Sequence, residues 1–204
     1  MTKSSINILR IDSSARRDGS ETRALTNAFI NRIGTTADTA VIYRDLAADA
    51  PDFVNETWVG AAFTDPNARS DTQVAALVAS DALVAELETA DVIVIGAPIY
   101  NFSIPAVLKA WIDMVARARV TFLHTEDGPV GLLKNKQAYV MISHGPGGTT
   151  IGSATDFATP YLRHLLGFIG IHDVEFISAT EVKEDSRRSD AVLAGVQWRT
   201  QQAA

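Results

Sequence analysis

The chain has 204 residues, 47% apolar and 21% charged, no cysteine and a formal net charge of −6. That profile fits a single folded domain spanning residues 1–204 with a full core. It excludes disulfides, thiolate nucleophiles and cysteine-ligated metal clusters, and an acidic chain with scattered basic residues argues against nucleic-acid binding. No apolar run approaches the ~20 residues of a membrane span. The short apolar run near the N-terminus ends in charge and reads as a strand rather than a signal peptide, so a cytoplasmic location is expected.

In chain order, Ile6–Ile11 predicts a first strand. Gly19-Ser20-Glu21-Thr22 then introduces a helical spacing through Leu25, Phe29, Ile30 and Ile33, with Ser20 or Thr22 as N-cap and Gly34 as stop. Ala40–Arg44 predicts the second strand. Residues 45–66 have no clear period and contain Pro51, Trp58 and Pro66, which predicts a long surface excursion. A helix follows through Val74, Leu77, Val78, Leu83, Val84 and Leu87, with an expected break near Ser80.

Val92–Ile95 is a continuous β-branched run, the signature of a central parallel strand buried on both faces. Pro105 opens a helix to Arg119. The stretch TFLHTEDGPVGLL predicts a loop turning at Asp127-Gly128-Pro129. Ala138–Ser143 predicts strand four, 154–167 a helix, Val174–Ile177 strand five, and 186–202 a final helix. Strand and helix alternate throughout, so the expected architecture is a doubly wound α/β sheet with helices on both faces. Five parallel strands suit the flavodoxin-like order 2-1-3-4-5, with ligands beyond the carboxyl ends of the strands.

That order brings three loops together: 12–22, 97–102 and 143–148. The first has Ser14, Ser20 and Thr22 hydroxyls before a helix N-terminus, a suitable anion site to which Arg16 or Arg17 could add charge. An ordinary N-cap at Ser20 explains the same residues. Neither a dinucleotide G-x-G-x-x-G fingerprint nor a P-loop is present there, so one phosphate fits better than a pyrophosphate. In the second loop, Tyr100, Asn101 and Phe102 are consecutive and cannot all enter one core. At least one faces the cleft, where a ring can stack and an amide can bond a polar ring edge. In the third, glycines let backbone N–H groups approach a ligand beside His144; a plain flexible turn is the alternative. Together the loops suit a flat, polar-edged, monophosphorylated ligand such as flavin mononucleotide (FMN).

The chain resembles the FMN-dependent NADH azoreductases, which are also quinone reductases. The resemblance rests on Ser13-Ser14 with Ser20-Glu21-Thr22, on DVIVIGAPIYNFSIPAVLKAWID, on VARARVTFLHTEDGPVGLL and on TPYLRHLLGFIGI. It implies a flavodoxin-like homodimer with bound FMN at the subunit interface. Carried over residue by residue, it implies a phosphate site at Ser14, Ser20, Glu21 and Thr22, with the acidic Glu21 binding through its N–H. It implies a ring site at Pro98, Ile99, Tyr100, Asn101 and Phe102, and a far edge at Ser143, His144 and Gly145, or Gly147 and Gly148. The family often has Met where Ile99 stands, and Ser-Arg-Gly-Gly where this chain reads Ser-His-Gly-Pro-Gly-Gly.

The resembling enzymes pass hydride from NADH to the flavin and then to a flat acceptor, a quinone or azo compound, in a ping-pong sequence. NADH or NADPH is the expected reductant and a small flat aromatic or quinone the substrate, with no metal. The cofactor carries the chemistry, so no side chain need be a nucleophile; His144 and loop N–H groups would stabilise negative charge at the N1 edge. Trp58, Phe122, His124 and Phe168 are candidate walls of the acceptor pocket, some from the partner subunit. The main alternative is a flavodoxin-like FMN electron carrier without a substrate pocket. A phosphoesterase finds only Asp12 at the strand ends, and a non-enzymatic scaffold could share the fold.

Overall fold

The apolar runs form strands because β-branched residues fit a pleated, buried surface, and the glycine- and polar-rich stretches between them turn the chain. A computed structural model describes residues 5–35, 37–145, 150–179 and 182. Strands β1 (Ser5–Asp12), β2 (Asp38–Asp45), β3 (Val92–Pro98), β6 (Gln137–Ser143) and β7 (Asp173–Ser178) form one five-stranded sheet. Its order is β2-β1-β3-β6-β7 and every pairing is parallel. Among the strands of this sheet alone, that is the expected 2-1-3-4-5. All residues of β3 are buried, as its central place demands.

The helices α1 (Glu21–Gly34), α2 (Glu56–Phe63), α3 (Asp71–Thr89), α4 (Ala106–Val115) and α5 (Ala158–Phe168) divide between the two faces. Leu25, Phe29 and Ile33 of α1 pack with Ile8, Val94 and Met141 on one side. The other four helices pack with Leu9, Ile11, Ile93, Ile95 and Val140 on the opposite side. Alternate strand residues thus serve alternate faces. No described helix is long and apolar enough to cross a membrane.

Several elements differ from expectation. The 45–66 stretch contains α2, started by Asn55, whose side-chain oxygen accepts from the Trp58 amide at 3.0 Å. Its buried face is only Trp58, Ala61 and Ala62, too short and too alanine-rich for periodicity to reveal. Helix α3 runs unbroken through Ser80, whose hydroxyl donates to the Met114 carbonyl of α4 at 2.6 Å. A polar residue there ties two helices instead of breaking one.

Helix α4 stops at Val115, short of Arg119, because Thr121 Oγ1 captures the Arg117 amide at 2.9 Å and Arg119 turns to φ 65°. The expected loop at 121–133 contains an antiparallel hairpin, β4 (Phe122–Thr125) with β5 (Gly128–Gly131). Its Gly131 lies against Gly170, where a Cβ would come within 2.1 Å of the Gly170 nitrogen. Helix α5 starts at Ala158 rather than 154, where Asp156 accepts from the Thr159 amide at 3.0 Å. The helix expected at 186–202 lies outside the described residues.

Candidate functional site

The parallel registers set Asp12 opposite both Asp45 and Gly96, and Pro98 opposite Ser143, so the loops after β1, β3 and β6 leave one edge of the sheet. Gly96 permits this crowding: a Cβ there would lie 2.8 Å from Asp12 Oδ1 and 3.3 Å from Thr26. Asp12 is fully buried, accepting from Thr26 Oγ1 at 3.0 Å and paired with Arg10 at 2.8 Å. It anchors α1 to the sheet.

The loop after β1 begins with Ser13, which donates to the Gly96 carbonyl at 2.7 Å. Ser14, Ser20 and Thr22 are all buried, while Arg16 and Arg17 are exposed. Ser20 caps α1, but its Oγ sits 3.4 Å from both the Arg23 amide and Thr22 Oγ1. Those separations exceed the usual hydrogen-bond range, so the two hydroxyls at the helix N-terminus have donor capacity left for an anion. These hydroxyls and the helix N-terminus could hold an anion.

Arg23, one turn into α1, holds the loop from behind. It donates to the Ser14 carbonyl at 2.8 Å and to the Arg16 carbonyl at 3.1 Å. It also grips Asp45 at 2.7 and 2.9 Å and reaches Tyr43 Oη at 3.0 Å. The guanidinium holds the Asp45 carboxyl below the ordinary carboxylate range. Sequence reasoning missed this group. The available signal was an arginine in the first turn of a helix and an aspartate ending the neighbouring strand.

The loop after β3 is a tight two-residue turn. Tyr100 and Ser103 exchange backbone hydrogen bonds of 2.9 and 3.1 Å, with Asn101 at φ 49° and Phe102 at φ 71° between them. Two consecutive left-handed residues make the primed type of turn, which normally selects glycine. Asn tolerates this conformation; a phenylalanine there is strained and marks a site worth explaining. The turn leaves Tyr100 40% and Phe102 61% exposed. The Tyr100 hydroxyl accepts from the Ala15 amide at 3.1 Å, joining this turn to the first loop. An open cleft of about 590 Å³ adjoins it, lined by Asn101, Ser103, Ile104, Lys109 and Tyr161 among others. Lys109 is paired within α4 to Asp113 at 2.5 Å.

The Ile99 amide donates to the Ser143 carbonyl at 2.7 Å, so the third loop starts beside the second. Ser143 and His144 are half-buried and Gly145 is exposed. Gly147 and Gly148 lie outside the described residues. The four candidate pocket residues lie elsewhere in the chain. Trp58 is buried in the core beneath the Arg117 guanidinium, 5.7 Å from its ring centre. Phe122 packs on Phe168 at 4.4 Å and on His124 at 5.3 Å between ring centres. This trio sits near the C-terminal end of α5, which runs back from the carboxyl edge over about 16 Å.

Over residues 6–201 the chain matches the family described as having a flavodoxin-like fold. The FMN-dependent NADH:quinone oxidoreductase of Thiobacillus denitrificans is 51% identical over 186 residues, covering 90% of each chain. That of Jannaschia sp., numbered 1, is 52% identical over 178 residues, or 87% of this chain and 90% of the relative. The chain belongs to the FMN-dependent NADH:quinone oxidoreductase family. An FMN-dependent NADH-azoreductase from Bacillus anthracis, crystallised with FMN, has the same fold, with a TM-score of 0.78 at 20% identity over 93% of this chain and 99% of that one. The azoreductase of the Sterne strain gives 0.76 at 23% identity over 96% and 94%. In this chain, the strained turn and the hydroxyl-rich loop are the two features best shaped for a ligand.

Proposed function

We propose that this chain is itself an FMN-dependent NADH:quinone oxidoreductase that also reduces azo compounds. The observation carrying this reading is its 51% identity, over 90% of both chains, to a relative of that name. The local geometry supports it. Ser14, Ser20 and Thr22 hold the phosphate with the N–H of Glu21, at the positive end of α1. Pro98, Ile99, Tyr100, Asn101 and Phe102 form the wall for the ring, and Ser143, His144 and Gly145 its far edge, with Gly147 and Gly148 completing the expected set.

Bound FMN supplies the hydride-carrying chemistry, with NADH or NADPH as reductant and a quinone as acceptor in alternating, ping-pong occupancy. The chain's residues bind and orient. Tyr100 fixes the wall to the phosphate loop, Asn101 offers its amide to a ring edge, and His144 donates where negative charge collects. The cleft beside Lys109 and Tyr161 admits the flat partner.

A homodimer completes this reading. Phe122, His124 and Phe168 sit toward the end of the helix layer remote from Tyr100, so a two-fold partner running the opposite way brings its trio to this wall. Trp58, packed in the core, is left out of the pocket. Residues 1–204 act as one domain, and the protein works in the cytoplasm.

Purified protein is expected to be yellow, and to oxidise NADH when a quinone is added. A colourless protein that does not take up FMN would sink the proposal. FMN binding without quinone-dependent NADH oxidation would favour an electron carrier instead. A monomer by light scattering would remove the dimer.

A further inference from the structure

Arg23 uses all its N–H donors. A guanidinium has five in a rigid fork. Nε donates to the Arg16 carbonyl, Nη2 to the Ser14 carbonyl and Asp45 Oδ1, and Nη1 to Tyr43 Oη and Asp45 Oδ2. Three of these bonds fix the guanidinium to the end of β2; the other two pull on loop carbonyls two residues apart.

Peptide planarity transmits that pull. There are no cis bonds among the described residues, so each carbonyl points opposite to the N–H of the same peptide. With the Ser14 carbonyl on Arg23, the Ala15 N–H faces the other way and meets Tyr100 Oη at 3.1 Å. With the Arg16 carbonyl on Arg23, the Arg17 N–H likewise faces away from the guanidinium. Arg23 therefore decides which side of the loop shows oxygens and which shows donors. Its own charge is taken up by Asp45, and Asp12 lies 3.7 Å from it, so it acts by position.

We propose that Arg23, locked by Asp45 and Tyr43, is a positioning residue that turns the Arg17 amide toward a terminal phosphate and, by turning the Ala15 amide onto Tyr100, couples the loop to that turn. This rests on the FMN reading above and names what tunes it. The strand β2, which contributes nothing to the ring wall, then sets cofactor affinity through its last residue.

The test compares FMN with riboflavin, which lacks the phosphate, by flavin-fluorescence titration of the full chain freed of cofactor. The variants are Arg23→Lys and Asp45→Asn. Lys keeps the charge but loses the fork; Asn keeps the volume of Asp45 but weakens its grip. Each is expected to weaken FMN about 10- to 100-fold, the loss of one or two hydrogen bonds to a charged group, and to leave riboflavin within about 2-fold. Wild-type preference for FMN retained in both variants would overturn the positioning role. So would an equal loss for both flavins, the signature of a merely structural residue. A wild-type chain that binds FMN no better than riboflavin would instead overturn the phosphate loop itself, and the proposal with it.

Discussion

The amide of Ala15 donates to the phenolic oxygen of Tyr100 at 3.1 Å, across a sequence separation of 85 residues. This single bond ties the loop shaped for an anion to the turn shaped for a ring. Tyr100→Phe keeps the aromatic face and removes the acceptor. It is expected to cost about 1 kcal/mol, the value of one neutral hydrogen bond, seen as a roughly 5-fold weaker FMN affinity with riboflavin affected less. Equal affinity for FMN in the variant would show that the bond does not organise the loop.

The turn stores strain at Phe102, φ 71°, whose side chain is 61% exposed and adds little burial. Phe102→Gly is therefore expected to raise the unfolding free energy by about 0.5–1 kcal/mol while weakening flavin binding. Urea denaturation and a flavin titration on the same variant check both signs. A loss of stability would mean the phenyl ring packs more than its exposure indicates.

Gly131 faces Gly170 backbone to backbone, with the Gly170 nitrogen 2.1 Å from a Cβ placed at Gly131. Backbone cannot yield as a flexible side chain does. Gly131→Ala is expected to cost about 3 kcal/mol or more and to loosen the hairpin from α5. A denaturation midpoint unchanged from wild type would contradict this.

Arg117 is 1% exposed, and burial pushes its guanidinium below the ordinary arginine value. It donates to Ser80 Oγ at 2.5 Å and to Asp81 at 2.9 Å, yet Asp81 is 59% exposed while Ser80 is fully buried. Ser80→Ala leaves buried partners unpaired and is expected to cost about 1–3 kcal/mol. Asp81→Asn loses a screened charge and is expected to cost under about 1 kcal/mol. Chemical denaturation of the two variants gives the order; the reverse order would place the weight on the ion pair.

Asp45 has a depressed carboxyl because Arg23 hydrogen-bonds it, with burial opposing. Its folded form holds its proton less tightly than the unfolded chain, so its contribution is complete above the ordinary aspartate range near about pH 4. It fades as pH falls through the lower folded value. Asp45→Asn is expected to flatten that part of the acid dependence of stability, and an unchanged profile in denaturation at stepped pH would count against the Arg23 clamp.

Much of the sheet was legible in the chain. Val92–Ile95 read as a strand buried on both faces, and the alternation of strands with helical spacings led to the parallel order that the registers bear out. Helix α2 and the hairpin were not legible, since one buries small alanines and the other is two four-residue strands. Neither carries enough apolar period to stand out, and both depend on neighbours, α3 and α5, for their burial.

At the site, the residue types in the three loops were visible in order along the chain: hydroxyls before a helix, Tyr-Asn-Phe after a strand, His-Gly after another. Their chemistry is local, so the sequence by itself determined it. The Arg23 fork, the Tyr100 hydroxyl on Ala15 and the left-handed turn at Asn101 and Phe102 were decided only by tertiary structure. A hydrogen bond between residues 85 apart requires the sheet to bring two strand ends side by side, and no periodicity along the chain encodes that distance.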